Sequence, residues 1–592
     1  MKFWKRGRWS PFTRASVLGP CVALGWIAGA GASATAQQSV IRGSVASDGS
    51  EGPRESTAPA LSRDARFVAF ESDSQRLTLR DLNGLRDVFL RDTHARTTQL
   101  VSADPTGRAV GGNGPRISDD GRRVAFVSSS PALTSGAFNG QSHVFVRDML
   151  LGATTIASVG PSGGQLASGV AHGQFDLSGD GNVLAFVSSD SQILPGDNDL
   201  DADLFVRDLV SGAVVCATLD FNGQVIASPS PVGAVAPKLS RDGRYCVFHS
   251  NFATLVPGDT NESFDVFVFD RVTATTTRVS VSSSGAQGDG TSWISSISAT
   301  GRWVSFQSSA TTFAPNASNE YQAYLHDRAT GITELLSVNS AGAGALGGAS
   351  TWIGAAVSDD GRWVSFQSDS PDLSNSGQGV FVRDRVLGAT TRVDVPISSS
   401  TLDGPSAWPS LSGDGRWVAF ASSASQLAPG DNNGVVDVFL ASTPANAPTS
   451  FCSAGTSSNG CSATLSVVGQ PRVGGAAPCS LVLAQADGQS STHLFYGLAA
   501  FGSAPPSWGG GSGFLCVKAP YQRIALAATQ GSNGLCDGAV SFDWRAYQLA
   551  QLGALGQPFA PTLQLYVQAW VRDASAPGAS NLSNATTLPF LP

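Results

Sequence analysis

Lysine is nearly absent from most of this chain: past residue 40 only Lys238 and Lys518 occur among 592 residues, and the formal charge is -8. So little surplus cation leaves no basic face for nucleic acid, which is excluded as a partner class. Charged residues are also scarce, at 14%, and methionine occurs twice. The six histidines (His94, His143, His172, His249, His326, His493) fall at unrelated positions with no metal-ligand spacing, and no nucleophile with its base stands out. What is abundant is glycine, 67 residues, beside a 42% hydrophobic content; that balance suits a globular, turn-rich, all-β protein.

Long apolar runs are missing too, except at the start. Lys2, Lys5, Arg6, Arg8 and Arg14 precede an apolar stretch from about Ala15 that ends in Ala34-Thr35-Ala36. Residues 1–36 therefore read as a secretory signal cleaved before Gln37, which predicts a secreted, periplasmic or cell-surface protein with no transmembrane segment after cleavage. The glycines and Pro20 within the run argue against a retained anchor. Pro20 before Cys21 also argues against lipidation.

Seven times the chain repeats one phrase, clearest at Leu411-Ser412-Gly413-Asp414-Gly415-Arg416-Trp417-Val418-Ala419-Phe420. Aligned on the final aromatic, the repeats fall at Phe70, Phe126, Phe186, Phe248, Phe306, Phe366 and Phe420, with spacings of 54 to 62 residues. A period this long marks a repeat architecture. Each repeat holds short runs rich in Val, Phe and Thr between Gly, Asp and Ser, which read as four strands. The seventh repeat stops after three, at Asp437-Val438-Phe439-Leu440, and its missing strand is found at Ser39 to Val45. The predicted fold is all-β: a seven-bladed β-propeller closed by the N-terminal strand. The Asp-Gly pairs are turn residues, with Gly accepting positive φ and Asp bonding nearby amides.

Ser-x-Asp-Gly-Arg-x-Val-x-Phe followed by Asp-Val-Phe-Val-x-Asp resembles the TolB-type β-propeller repeat, a relative of the Trp-Asp repeats found in bacterial secreted proteins. The resemblance covers roughly residues 38 to 443. It implies a propeller and no particular activity, because such repeats serve in binding proteins, in peptidase gating domains and elsewhere. The chain departs from TolB itself, since no room is left for that protein's N-terminal domain, and no α/β-hydrolase domain follows.

Three features carry candidate chemistry. Acidic loops before the third strand, with Asp197, Asp199, Asp201 and Asp203, with Asp259, Asn261 and Asp265, and with Asp431, Asn433 and Asp437, place oxygen ligands two residues apart as a Ca²⁺ site does. The competing reading, favoured by the lack of an EF-hand glycine and terminal glutamate, is that these are turn formers in solvated loops. Trp293, Trp352 and Trp408 lie on or near the innermost strands, where they would form an aromatic platform for a ligand or pack between blades. Trp303, Trp363 and Trp417 share one strand position and read as packing. Gly160-Pro161-Ser162-Gly163-Gly164 matches a nucleophile elbow in letters, but its counterparts in other repeats are plain turns, so it carries no catalysis.

After the Pro-rich linker at 444–450 the period ends. Strand-like runs over 451–592 predict a C-terminal β-sandwich domain, weakly similar to C-terminal modules of large secreted bacterial proteins. Five cysteines cluster there. The expected disulfides join Cys452 with Cys461 and Cys516 with Cys536, leaving Cys479 as a thiol. Cys216 and Cys246, in successive repeats, are expected as buried thiols. The leading expectation is a non-enzymatic binding or scaffold protein that takes a protein or glycan on the propeller, needs no cofactor and has Ca²⁺ as a candidate ion. The alternative is an extracellular carbohydrate-active hydrolase or lyase with its site at the channel mouth.

Overall fold

In the computed structural model, residues 40–589 are described except 135–136, 195–201, 227–234, 316, 318–319, 340–341, 343, 345–354, 374–376, 398–400, 445–449, 452–460, 470–478, 487–488, 499–516, 518–520, 531–534, 551–563 and 573–579. Seven four-stranded antiparallel sheets follow one another in chain order as the blades of a propeller. The first runs Ser56–Leu61, Phe67–Ser72, Asp87–Asp92 and Thr97–Leu100, from the innermost strand outward.

In the last blade, Val40–Arg42 supplies the outer strand beside Asp437–Ser442, with Val40 opposite Ala441 and Arg42 opposite Phe439. The closure extends beyond the strand. Gly43 N–H donates to Val438 O at 2.7 Å, and Ser44 Oγ donates to the buried Asp437 carboxylate at 2.5 Å while accepting from Val438 N–H. The N-terminal segment thus removes what would be an unpaired edge.

The repeated phrase has a local cause. In the last blade Asp414 Oδ1 accepts from Ser412 Oγ (2.7 Å) and Arg416 N–H (3.0 Å), and Ser412 Oγ accepts from Trp417 N–H. Gly415, at φ +72°, completes the turn that a side chain would strain, and a Cβ there would lie 2.5 Å from Trp363 of the preceding blade. Trp303 packs in the same way against Gly361 and is sandwiched by the guanidinium groups of Arg302 and Arg385. Each blade centres on an aromatic pair across its two middle strands, Phe70 with Phe89 in the first and Phe420 with Phe439 in the last, ring centroids 5.8 and 6.0 Å apart. Both faces of these sheets are buried because each blade is covered by its neighbours.

The C-terminal region holds a five-stranded and a three-stranded sheet. Leu465, Leu481 and Leu483 of the smaller sheet pack with Leu494, Tyr496, Leu565, Val567 and Ala569 of the larger around buried Trp544, as in a β-sandwich. Trp544 opens a short helix, Trp544–Ala550, that the all-β expectation did not include.

The disulfide differs from the expected pairing. Cys461 bonds to Cys536, across 75 residues, so neither Cys452 with Cys461 nor Cys516 with Cys536 forms; Cys452 and Cys516 lie outside the described residues. Sheet order is the reason. Thr464–Gly469 and Gly538–Asp543 flank Cys479–Ala486 on opposite sides, both antiparallel to it, so their entry points lie at the same end of the sheet. Cys461 and Cys536 immediately precede those strands, with Cα atoms 5.2 Å apart. Cys246 and Cys479 are buried thiols outside the bond, and Cys216 is buried on its blade. Replacing Cys461 with Ser is expected to destabilise this C-terminal region by about 2–5 kcal/mol. The check is a calorimetric scan, in which the variant's C-terminal transition should fall and no longer respond to reductant.

Candidate functional site

The innermost strands surround a central channel of about 1040 Å³. In five of them two residues stand opposite one on the neighbouring strand: Ala58-Pro59, Gly114-Pro115, Ala236-Pro237, Ile294-Ser295 and Trp408-Pro409. The first residue of each pair is left-handed, with φ from 44° to 63°. Such bulges suit proline, which cannot donate to the ladder, and they bend the strand so that the flanking side chains are re-aimed. For Ile294 and Trp408 the conformation costs on the order of 1–3 kcal/mol each, the kind of strain that gathers at ligand sites. The prolines at 59, 115, 237 and 409 were the sequence signal for these bulges; period and strand pattern alone did not show them.

One end of the channel is ringed by bonds between neighbouring blades. Residues one or two before the turn glycines, and Arg63 two before Ala65 in the first blade, form a ring in which backbone bonds join six of the seven blade junctions: Arg63 N–H to Asp119 O, Asp119 N–H to Gly179 O, Asp180 N–H to Arg241 O, Arg241 N–H to Ala299 O, Asp359 N–H to Gly413 O and Gly413 N–H to Arg63 O. Two ion pairs, Arg63 with Asp359 and Arg241 with Asp119, each at 2.6 Å, reach across an intervening blade. Glycine makes the reach feasible. A Cβ on Gly413 would sit 2.6 Å from Arg63 Cγ, and one on Gly179 would sit 2.6 Å from Asp119 Oδ1. Burial raises the Asp119 pKa despite Arg241.

Toward the other end charged and polar side chains gather. Glu71 accepts from Arg86 (3.0 Å), Thr57 Oγ1 (3.1 Å) and Gly114 N–H (2.7 Å), and His172 Nε2 lies 3.6 Å away. Burial alone would lift the Glu71 carboxyl, but His172, the Gly114 N–H and the Arg86 charge hold it down to about 2. Deeper in, Asp176 is shared by Arg116 Nε (3.1 Å) and Lys238 Nζ (3.3 Å), and its second oxygen accepts from Leu239 N–H. Two cations against one carboxylate leave this stretch of the channel positive. Burial and the Arg116 charge push Lys238 down to about 8, with Asp176 offsetting part of the shift. Its side chain keeps 32% exposure and lines the channel. Neither Arg116 nor Lys238 was singled out by motif; rarity was the only hint for Lys238.

Of the three candidate tryptophans, Trp293 and Trp408 line the channel and Trp352 lies outside the described residues. Trp293 stacks on Tyr321 at 5.0 Å, and its buried Nε1 has no hydrogen-bond partner. Trp408 is 37% exposed. Near Trp293 on the wall, Ser295 Oγ and His249 Nδ1 are also buried without partners, and burial pushes His249 down to about 4, so it is neutral.

The acidic loops stand apart from the channel chemistry. Asp197, Asp199 and Asp201 lie outside the described residues, and buried Asp203 accepts from Thr218 Oγ1 at 2.6 Å. Asp259 accepts from Gln287 Nε2 at 2.7 Å, with Arg278 Nη1 at 3.3 Å. Asp265 takes bonds from Ser280 Oγ, Asn261 Nδ2 and Gln287 Nε2, and Arg278 lies 3.5 Å away. In the last blade Asn433 Nδ2 donates to Asp437, and Glu51, Asp431 and Asp437 each offer an oxygen within 4.8 Å of the others. That spacing lets the three carboxylates share one divalent cation. Arg42 reaches the same cluster, pairing with Glu51 and lying 3.7 Å from Asp437 and 4.0 Å from Asp431. Glu51, some 380 residues from its partners in sequence, escaped the loop pattern because the closing strand brings it there.

No family model and no curated protein matches the chain. Solved structures similar to it include TolB from Acinetobacter baumannii (16% identity, 56% of this chain and 61% of that one, TM-score 0.31). Others are the β-propeller domain of the Trilobed protease from Pyrococcus furiosus (12%, 64% and 97%, 0.40) and the WD40 repeats of RRP9 (10%, 69% and 99%, 0.35). The chain therefore spans about three-fifths of that TolB. At such identities the likeness concerns the fold alone, and the propeller assignment rests on sheet order and register. Among the described residues no helix is long and apolar enough to cross a membrane.

Proposed function

We propose that the chain is an exported, non-enzymatic binding protein of the TolB-like repeat type, whose propeller channel receives an acidic segment of a protein or glycan. In this reading residues 1–36 are the cleaved leader, 37–443 the propeller, 444–450 a linker and 451–592 the disulfide-bearing partner domain. Export to the periplasm, the cell surface or the medium agrees with the leader and with the disulfide. The observation that carries the reading is the unsatisfied polar surface of an open channel: Trp293 Nε1, Ser295 Oγ and His249 Nδ1 lack partners, beside the surplus charge of Arg116 and Lys238. Buried polar groups without partners call for an explanation, and a bound ligand supplies one. Trp293 and Trp408 offer ring faces to that ligand. Ca²⁺ belongs to the proposal as an ion shared by Glu51, Asp431 and Asp437, whose three negative charges exceed the one of Arg42.

Binding is favoured over glycoside cleavage because a cleaving pair needs one carboxyl held protonated beside another, whereas Glu71, Asp176 and Asp359 face cations and Asp119, whose pKa burial raises, is itself bonded to Arg241. The test is an array of neutral and acidic oligosaccharides and peptides probed with the mature chain. A carboxylate-bearing ligand should be retained, and Trp293→Phe, which keeps the ring and removes the N–H, should weaken it about tenfold. Ligand binding indifferent to Trp293→Phe and Trp408→Ala would remove the channel from consideration. Release of cleaved sugars would establish the enzyme instead.

A further inference from the structure

The loop before the third strand follows one outline in three blades: Asp81, Asn83 and Asp87 in the first, Asp259, Asn261 and Asp265 in the fourth, Asp431, Asn433 and Asp437 in the seventh. The local geometry is shared. In each, the asparagine amide donates to the last aspartate, at 2.8, 3.2 and 2.9 Å respectively. What differs is the residue on the outer strand beside the loop. Arg278 stands opposite Phe267 and Arg42 opposite Phe439, and both reach their acidic pairs; the first blade has Leu100, opposite Phe89.

Elsewhere the combination varies: the third blade begins its third strand with Asp203, and Cys216 holds the outer-strand position. Ile156 and Leu335 hold the equivalent position in the second and fifth blades, and there the third strands begin with His143 and Gln322 rather than aspartate. The sixth blade has Arg392, paired with Asp394 at 2.9 Å, and Gly379 where the strand aspartate would be. A Cβ on Gly379 would lie 2.6 Å from the Arg392 Cζ, so the site is shaped around the guanidinium.

The first blade keeps the aspartate, asparagine and aspartate of the fourth and seventh without their arginine. Asp81 has 0% solvent exposure, and neither carboxylate oxygen has a hydrogen-bond partner; the Asn83 N–H tempers its charge without making a bond of normal geometry. Asp87, equally buried, accepts from Ser102 Oγ and Gly111 N–H on one oxygen and from Asn83 on the other. The nearby arginines are engaged elsewhere: Arg80 donates to Thr106 O, and Arg86 to Asp73 and Glu71. Thr78 Oγ1 is likewise buried with no partner. Asp87 is close enough to act on Asp81 as a like charge. A buried, unpaired carboxylate beside a second one is strongly unfavourable unless a positive charge joins them.

We propose that Asp81 and Asp87, with the Asn83 side chain and loop carbonyls, bind one divalent cation in the place that arginine fills in the fourth and seventh blades. The donors are all oxygen and lie in an irregular loop, which suits Ca²⁺ better than the octahedral demands of Mg²⁺ or the nitrogen and sulfur preference of Zn²⁺. The site is separate from the Glu51 cluster, so either can stand without the other.

The repeat itself supplies the decisive variant. Leu100→Arg would install the guanidinium found in the fourth and seventh blades, and Asp81→Asn would remove the charge with little change in shape. Calorimetric titration of the full mature chain with CaCl₂, up to about 1 mM as suits extracellular calcium modules, should show one fewer Ca²⁺ per chain for each variant than for wild type. In EDTA, Leu100→Arg should melt no lower than wild type and should gain less from added Ca²⁺. The same Ca²⁺ stoichiometry and the same Ca²⁺-induced melting shift in wild type and Leu100→Arg would overturn the site, as would a wild-type chain that binds no Ca²⁺. Should Asp81→Asn fail to fold, Leu100→Arg still decides. The Glu51 cluster is untouched by both variants and would continue to report independently.

Discussion

Deleting residues 37–47 from the mature chain is expected to destabilise the propeller by about 5 kcal/mol or more. Three losses combine. Val40 and Ile41 pack against the cores of the last and first blades, and two half-buried aliphatic side chains contribute about 1 kcal/mol each. Removing Arg42 leaves Asp431 and Asp437 facing Glu51 with their internal cation gone, and breaking a buried pair of this kind costs about 3–5 kcal/mol. Removing Ser44 strips a bond from the Asp437 carboxylate, which burial already shifts toward protonation. The strand Asp437–Ser442 would then present a bare edge, so aggregation should accompany the loss. Urea unfolding followed by tryptophan fluorescence measures the effect, and Arg42→Ala should account for more than half of it. An unchanged midpoint after the deletion would mean that the ring does not depend on its N-terminal strand.

The ring was legible because its causes are local. Ser412, Asp414 and Gly415 make a turn from their own atoms, and the Phe that ends the following apolar run pairs across the strand in every blade, so counting the phrase counted the blades. The closing strand was legible for the same reason, as a unit missing at one end and present at the other. The channel was not, because its chemistry is assembled from different blades: Arg116, Asp176 and Lys238 come from three, and no spacing within one repeat predicts their meeting. Disulfide pairing failed similarly. Proximity in sequence favoured neighbours, whereas strand order in the sheet brought Cys461 to Cys536. The outer-strand arginines lay between these cases, since Arg42 and Arg278 stand at equivalent positions and only their register shows which acids they serve.

Lys238 marks where stability and function pull apart. Its pKa falls from 10.5 to about 8 because burial and the Arg116 charge disfavour the ammonium, so at neutral pH the folded protein carries a charge the unfolded chain would hold more comfortably. The sign follows from proton counts: between about pH 8 and 10.5 the folded state binds fewer protons than the unfolded one, so stability rises with pH through that window. A shift of this size corresponds to roughly 3 kcal/mol; with solvent in the channel screening the ammonium, about 1–2 kcal/mol is expected. Lys238→Met should therefore be more stable than wild type by that amount at pH 7, because Met fills similar volume and Asp176 keeps Arg116 at 3.1 Å. The gap should close as pH approaches 10.5, a convergence that paired urea melts across pH would reveal. A variant less stable than wild type at pH 7 would mean that the Asp176 contact outweighs the burial. The same substitution should weaken an anionic channel ligand, because it removes one of the two cations that leave the channel positive. A lysine that destabilises the fold while strengthening ligand capture is what a binding channel retains and a purely structural core discards.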